Sequence, residues 1–170
     1  MYIGGIQYDS VVDGKGIRNT LFISGCKHNC KGCHNPQTHN FKYGHEFTID
    51  EQKKFIYKCK NNPLLDGITL SGGDPLFSSL ELIPFIKKYK EVNPSHTIWV
   101  YSGFTFEQIK KDMNMFQLIK LCDVLVDGKF ILGLKDLSLK FRGSSNQRII
   151  DIQKSLKIND IVLLEEVYYA

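Results

Sequence analysis

Eight consecutive residues, Cys26-Lys27-His28-Asn29-Cys30-Lys31-Gly32-Cys33, carry three thiols at the spacing C-x3-C-x2-C. Thiolates suit zinc and iron–sulfur centres. Three so close together do not fill a four-ligand site from local residues. They fit three corners of a cubane iron–sulfur cluster and leave the fourth iron open, where chemistry can take place. The competing reading is a structural zinc site completed by His28, His34 or a distant residue. Zinc sites usually pair two C-x2-C halves across a longer spacer, or add a pair of histidines. This chain has a single compact trio, and His34 follows Cys33 directly, an awkward place for a second ligand of one tetrahedron. Cys59 and Cys122 fall in or beside apolar elements and read as core, where free cysteine is common.

The elements that must position the trio alternate between strand and helix. A strand over residues 17–24 leads into the cysteine loop, and others are expected over 67–71, 97–101 and 123–126. Between them lie helices opened by capping boxes, a hydroxyl residue followed three positions later by Glu or Gln. These are Thr48-x-x-Glu51, Ser78-x-x-Glu81 and Thr105-x-x-Gln108, the second with Pro84 expected to bend its helix. The end is less regular: a loop over 142–147, then apolar runs at 149–152 and 161–167. Tyr2, Tyr8, Tyr168 and Tyr169 carry no pattern. Alternating units imply parallel strands with right-handed crossovers. A closed eight-unit barrel needs roughly 250 residues, so 170 residues predict an incomplete TIM-type β/α barrel in a single domain, 1–170.

Each expected strand ends in a loop with cysteine or glycine, and ligands of parallel β/α folds sit at those carboxyl ends. Gly72-Gly73-Asp74-Pro75 is the most suggestive of these ends. Its glycines would let a ligand approach the backbone, whose exposed groups, with the Asp74 carboxylate, could hold an ammonium group. Asp13-Gly14-Lys15-Gly16 reads as a turn. Asp127-Gly128-Lys129 is either a turn or the source of an acid, and Arg142-Gly143-Ser144-Ser145-Asn146 could bind an anion or seat a partner.

Composition is that of an ordinary soluble domain, with 42% hydrophobic and 24% charged residues. No apolar run approaches membrane-spanning length, and residues 1–5 lack the layout of a signal peptide, so the cytoplasm is expected. The net charge of +4 comes from lysines scattered on helix faces, without the stripe that would suggest nucleic acid. Walker, Rossmann and hydrolase signatures are absent from the sequence.

C-x3-C-x2-C followed about forty residues later by a Gly-Gly-Asp strand end resembles the radical S-adenosylmethionine (SAM) enzymes. Asp13-Gly14-Lys15-Gly16-Ile17-Arg18, Leu21-Phe22-Ile23-Ser24-Gly25-Cys26 and Cys33-His34-Asn35-Pro36 are similar to strings of the glycyl-radical-enzyme activases. Ser71-Gly72-Gly73-Asp74-Pro75-Leu76, Asp123 to Gly128 and Arg142 to Arg148 resemble the activases of the anaerobic (class III) ribonucleoside-triphosphate reductase. The resemblance implies that Cys26, Cys30 and Cys33 ligate a [4Fe–4S] cluster whose open iron chelates SAM. It implies that Gly72, Gly73 and Asp74 hold the SAM ammonium group, and that Gly32, Cys33 and His34 lie along the cofactor. Reductive cleavage of SAM would give a 5′-deoxyadenosyl radical that takes hydrogen from a glycine of the reductase large subunit. The electron would come from an external donor such as flavodoxin or ferredoxin. Gly32 stands where the wider superfamily often has an aromatic residue, although the reductase activases tolerate glycine; His34 replaces the aromatic residue expected after the third cysteine, and His39 stands where these activases often carry tryptophan. The alternatives are an activase of another glycyl radical enzyme, such as pyruvate formate-lyase, and a non-catalytic zinc-binding module.

Overall fold

A computed structural model describes residues 1–168, and Tyr169 lies outside the described residues. Seven strands form one sheet in the order β3-β1-β2-β4-β5-β6-β7. Its centre is the expected set: β2 (Arg18–Ile23), β4 (Gly67–Gly72), β5 (Thr97–Tyr101) and β6 (Val124–Asp127), all parallel. The flanks differ from expectation. β1 (Tyr2–Ser10), β3 (His45–Glu46) and β7 (Arg148–Asp151) pair antiparallel, so the sheet is mixed and open rather than wholly parallel. β1 escapes a sequence reading because Gly4 and Gly5 weaken its strand signal, and register shifts interrupt its pairing with β2.

Period-two alternation divides the two faces of the sheet. Leu21, Ile23, Ile68, Leu70, Ile98, Val100 and Leu125 point to one face and belong to the main core. α1 (Ile49–Lys60), α2 (Ser79–Val92), α3 (Phe106–Ile109), α4 (Met113–Ile119) and α5 (Ile152–Ile158) contribute to that core. Within it Phe47, Phe55, Phe85 and Tyr89 form an aromatic cluster, Phe47 and Phe85 meeting edge to face at 5.5 Å. The alternate residues, among them Thr20, Phe22, Thr69, Ser71, Trp99 and Tyr101, face the other way. A smaller cluster of Trp99, Val124, Val126, Ile149 and Val167 forms on that side, to which α6 (Glu165–Tyr168) contributes Val167.

Two of the three capping boxes form, Thr48 with Glu51 and Thr105 with Gln108. The third does not. Asp74 caps a 3-10 turn over Pro75–Ser78, and α2 continues from that turn, so the Ser78 side chain makes no cap bond. Glu81 reaches the amino group of Met1 instead, at 2.8 Å. Among the described residues no helix is long and apolar enough to cross a membrane.

Arg18 plugs the amino end of the sheet's second face, in line with Thr20 and Phe22. It is fully buried, and its guanidinium donates to Thr69 Oγ1, Thr97 Oγ1 and the carbonyls of Lys15, Ile68 and Thr97 at 2.7–3.1 Å. It also lies 5.5 Å from the Trp99 ring centroid. Burial lowers its pKa to about 10, which still leaves it charged at neutral pH.

Candidate functional site

The parallel strands bring their carboxyl ends to one edge, as register requires. Arg18, Gly67 and Thr97 are partners at the amino ends, so the residues following Ile23, Gly72, Tyr101 and Asp127 emerge together. A cleft of about 440 Å³ opens there, and all four loops line it. Cys26, Cys30, Cys33 and His34 come from the first loop, Gly72 and Gly73 from the second, Ser102 and Gly103 from the third, Gly128 and Phe130 from the fourth. Its size falls in the range of roughly 300–1,000 Å³ typical of small-molecule sites. A larger recess of about 790 Å³ lies at the opposite, amino ends of the strands, between Lys15, Lys60, His96 and Trp99. It contains none of the loop cysteines, and ligands of such sheets bind at the carboxyl ends, so the smaller cleft is the candidate.

All five cysteines are free thiols, and the three of the loop are half-buried while Cys59 and Cys122 are in the core. Burial pushes the Cys26 thiol up, against an opposing hydrogen bond donated by the His28 backbone N–H to its Sγ at 3.4 Å. Among the described residues no three His, Cys, Asp or Glu side chains are grouped as ligands of a single metal ion. A four-iron cluster asks for something else, since each cysteine binds a different iron. Three free thiols on one loop, half-buried and facing one cleft, are a donor set that fits such a cluster. His28, the local candidate for completing a zinc site, also lines the cleft, but its Nε2 is engaged by a carboxylate.

That carboxylate is Asp74. It is buried, and its Oδ2 accepts from His28 Nε2 at 2.7 Å, Ser102 Oγ at 2.9 Å and the Gly103 N–H at 2.9 Å. Its Oδ1 accepts from the Leu76 N–H at 2.9 Å. The Asp74 side chain therefore faces the protein, while the backbone of Gly72 and Gly73 lines the cleft. These glycines have a reason beyond ligand access. A Cβ on Gly72 would sit 2.6 Å from the backbone of Ile23, and one on Gly73 would sit 2.7 Å from the carbonyl oxygen of Gly25. The turn is pressed against the entrance of the cysteine loop, joined by Gly73 N–H to Ile23 and Asp74 N–H to Gly25 at 2.8 and 3.0 Å.

The remaining sequence candidates separate clearly. His34 lies edge-on to Phe130, ring centroids 6.0 Å apart, on the cleft wall. Gly32 packs under Leu132, which would stand 2.9 Å from an added Cβ. The 142–147 loop is held by its own side chains. Gln147 Oε1 accepts from the N–H groups of Gly143 and Ser144, and Arg142 donates to the Gln147 carbonyl at 2.8 Å. Asp127 is buried and accepts from Arg148 and the Phe106 N–H, which tie the end of β6 to β7 and α3. Arg148 also grips Glu107 with two bonds of 2.9–3.0 Å and holds its carboxyl down at about 2. A folded pKa below the usual value of 4.5 means that the pair stabilises the fold above about pH 4.5 and loses that effect as pH falls toward 2. A carboxyl-carbon NMR titration should find Glu107 still ionised at pH 3, and Arg148→Gln should return its midpoint toward the usual value.

The open α/β sheet carries a three-thiol loop at its carboxyl edge, and residues 12–150 match the family model of the 4Fe-4S single cluster domain, which places the chain among iron–sulfur proteins. Among curated proteins the chain is 39% identical over 149 residues to the anaerobic ribonucleoside-triphosphate reductase-activating protein of Pasteurella multocida, covering 85% of this chain and 94% of that one. The protein of that name from Escherichia coli K12 is 39% identical over 140 residues, covering 81% and 90%, and that of phage T4 is 36% identical over 151 residues, covering 85% and 93%. The chain belongs to this family of reductase-activating proteins.

Proposed function

We propose that this protein is a radical SAM activase that installs a glycyl radical on the anaerobic ribonucleoside-triphosphate reductase. The observation that carries the proposal is the convergence of the three loop thiols and the Gly72-Gly73 turn on one cleft. Cys26, Cys30 and Cys33 would hold a [4Fe–4S] cluster. The backbone of Gly72 and Gly73 would receive the SAM ammonium group, with Asp74 fixing the turn, and Gly32 to His34 would line the cofactor's path. When bound, the cluster supplies an electron for cleavage of the SAM sulfonium bond, giving methionine and a 5′-deoxyadenosyl radical that abstracts hydrogen from the partner's glycine. This chain's residues bind, orient and exclude water; the electron comes from an external donor such as flavodoxin or ferredoxin. Helices α1–α5 packed on one face, and the buried polar Arg18, Thr20 and Thr69 on the other, support the reading of the open sheet as a partial barrel.

A macromolecular substrate is supported by the rim. Phe130, Leu139 and Phe141 line the cleft, and the segment joining them exposes Ile131, Leu132, Leu134 and Leu137, the last 86% accessible. Val12, 72% accessible, stands at the rim too. Apolar exposure on this scale beside a cleft fits a protein partner. Leu137→Asp should therefore lower reductase activation by roughly tenfold, as loss of one interface anchor does, while SAM cleavage without the partner stays unchanged. Equal activation by the variant would remove the rim from the docking surface.

The names of the relatives favour the ribonucleotide reductase over pyruvate formate-lyase as partner. The proposal is tested by anaerobic reconstitution with iron and sulfide, reduction by dithionite, and chromatography for methionine and 5′-deoxyadenosine. Both products should accumulate. Zinc as the sole bound metal, with neither product, would support the binding-module reading instead.

A further inference from the structure

We infer that His28, the middle residue of the first cysteine spacer, is a positioning residue that fixes the cluster loop to the SAM-binding turn. The inference rests on the radical SAM reading above. Nε2 of His28 lies 2.7 Å from Asp74 Oδ2, and because a carboxylate only accepts, the imidazole proton sits on Nε2. The side chains are 7% and 1% accessible, so water competes little for the bond. The ring is also seated. It meets Phe104 edge-on at 4.5 Å and Phe77 at 5.4 Å, and lies over Gly103, where an added Cβ would come within 2.5 Å of it. Gly103 and Ser102 complete the seat by donating to the same Asp74 oxygen.

The consequence is geometric. Asp74 directly follows the Gly72-Gly73 turn, and His28 lies between Cys26 and Cys30. One hydrogen bond thus ties the middle of the ligand loop to the end of β4, beyond the backbone bonds that fix only the loop's entrance. A cofactor held at once by the cluster's open iron and by the glycine turn needs those two points at a fixed separation. The His28–Asp74 bond sets that separation before the cofactor arrives, which lowers the ordering cost of binding. The thiols themselves do not need it, so cluster content and cofactor affinity should come apart when it is removed.

The test uses reconstituted holoprotein with His28→Phe, which fills the slot between Phe77 and Phe104 without a donor, and His28→Gln, which keeps one. Iron and sulfide content, SAM affinity and the change in the reduced cluster's electron paramagnetic resonance spectrum on adding SAM are measured for both and for the parent. His28→Phe should hold parental iron, yet need about tenfold more SAM to produce the spectral change, the cost of one buried hydrogen bond to a charged group. His28→Gln should recover part of that loss. Parental SAM response in His28→Phe would overturn the inference, as would equal impairment of both variants or loss of iron in parallel with loss of affinity. A parental protein whose spectrum ignores SAM would instead overturn the radical SAM reading, and this inference with it.

Discussion

Cys30→Ala is expected to leave a folded protein that no longer retains its cluster. Losing a residue that merely supports a metal ligand commonly costs about 10–100-fold in metal affinity, and Cys30 is proposed as a ligand itself, leaving two thiolates for a cubane. Iron and sulfide after anaerobic reconstitution and desalting should fall by roughly tenfold or more, and the visible absorbance of the cluster should go with them. Cys59→Ala is the matched control. Cys59 is buried on α1, accepts from Asn19 Nδ2 at 3.3 Å, and does not line the cleft that the three loop thiols share. That variant should keep its iron. Normal cluster content in Cys30→Ala, or loss in Cys59→Ala, would show that the ligand set is misassigned.

The second large effect is on stability and lies at the other end of the sheet. Arg18→Leu should destabilise the fold by about 2–4 kcal/mol, because it leaves a void over Trp99 and strands buried carbonyls that the guanidinium satisfied. With a urea slope of about 2 kcal/mol/M, the unfolding midpoint drops by about 1–2 M. Arg18→Lys should also destabilise, since a single ammonium cannot reproduce a planar fork that reaches Thr69, Thr97 and Ile68 together. Apolar replacement of a buried charge is sometimes neutral. Here the remaining acceptors belong to β4, β5 and the turn before β2, so an unchanged midpoint in both variants would contradict the assigned role of Arg18.

Much of the site was legible because strand ends are marked locally. The cysteine spacing, Gly72-Gly73, Ser102-Gly103 and Asp127-Gly128 each follow a short apolar run, and parallel order alone forces such ends together. The antiparallel flanks were not legible. β1 contains Gly4-Gly5 and bulges, and β3 is two residues long, so neither carries a periodic signal. Ser78-x-x-Glu81 has the composition of a cap, yet Asp74 four residues earlier had already started the helix as a 3-10 turn. The direction of the Asp74 carboxylate was hidden for a different reason. Its main partner, His28, stands 46 positions away, and no local rule pairs them. The glycine that admits the His28 ring, Gly103, is visible in sequence only as the end of a strand.

The central claim, that the thiol trio and the glycine turn form one radical-generating site acting on another protein, is tested most directly by electron paramagnetic resonance. The protein is reconstituted anaerobically, then given dithionite, SAM and the large subunit of the anaerobic reductase. A glycyl radical on the large subunit that requires SAM is the predicted result. Its absence, where a known activase produces one under the same conditions, would contradict the claim.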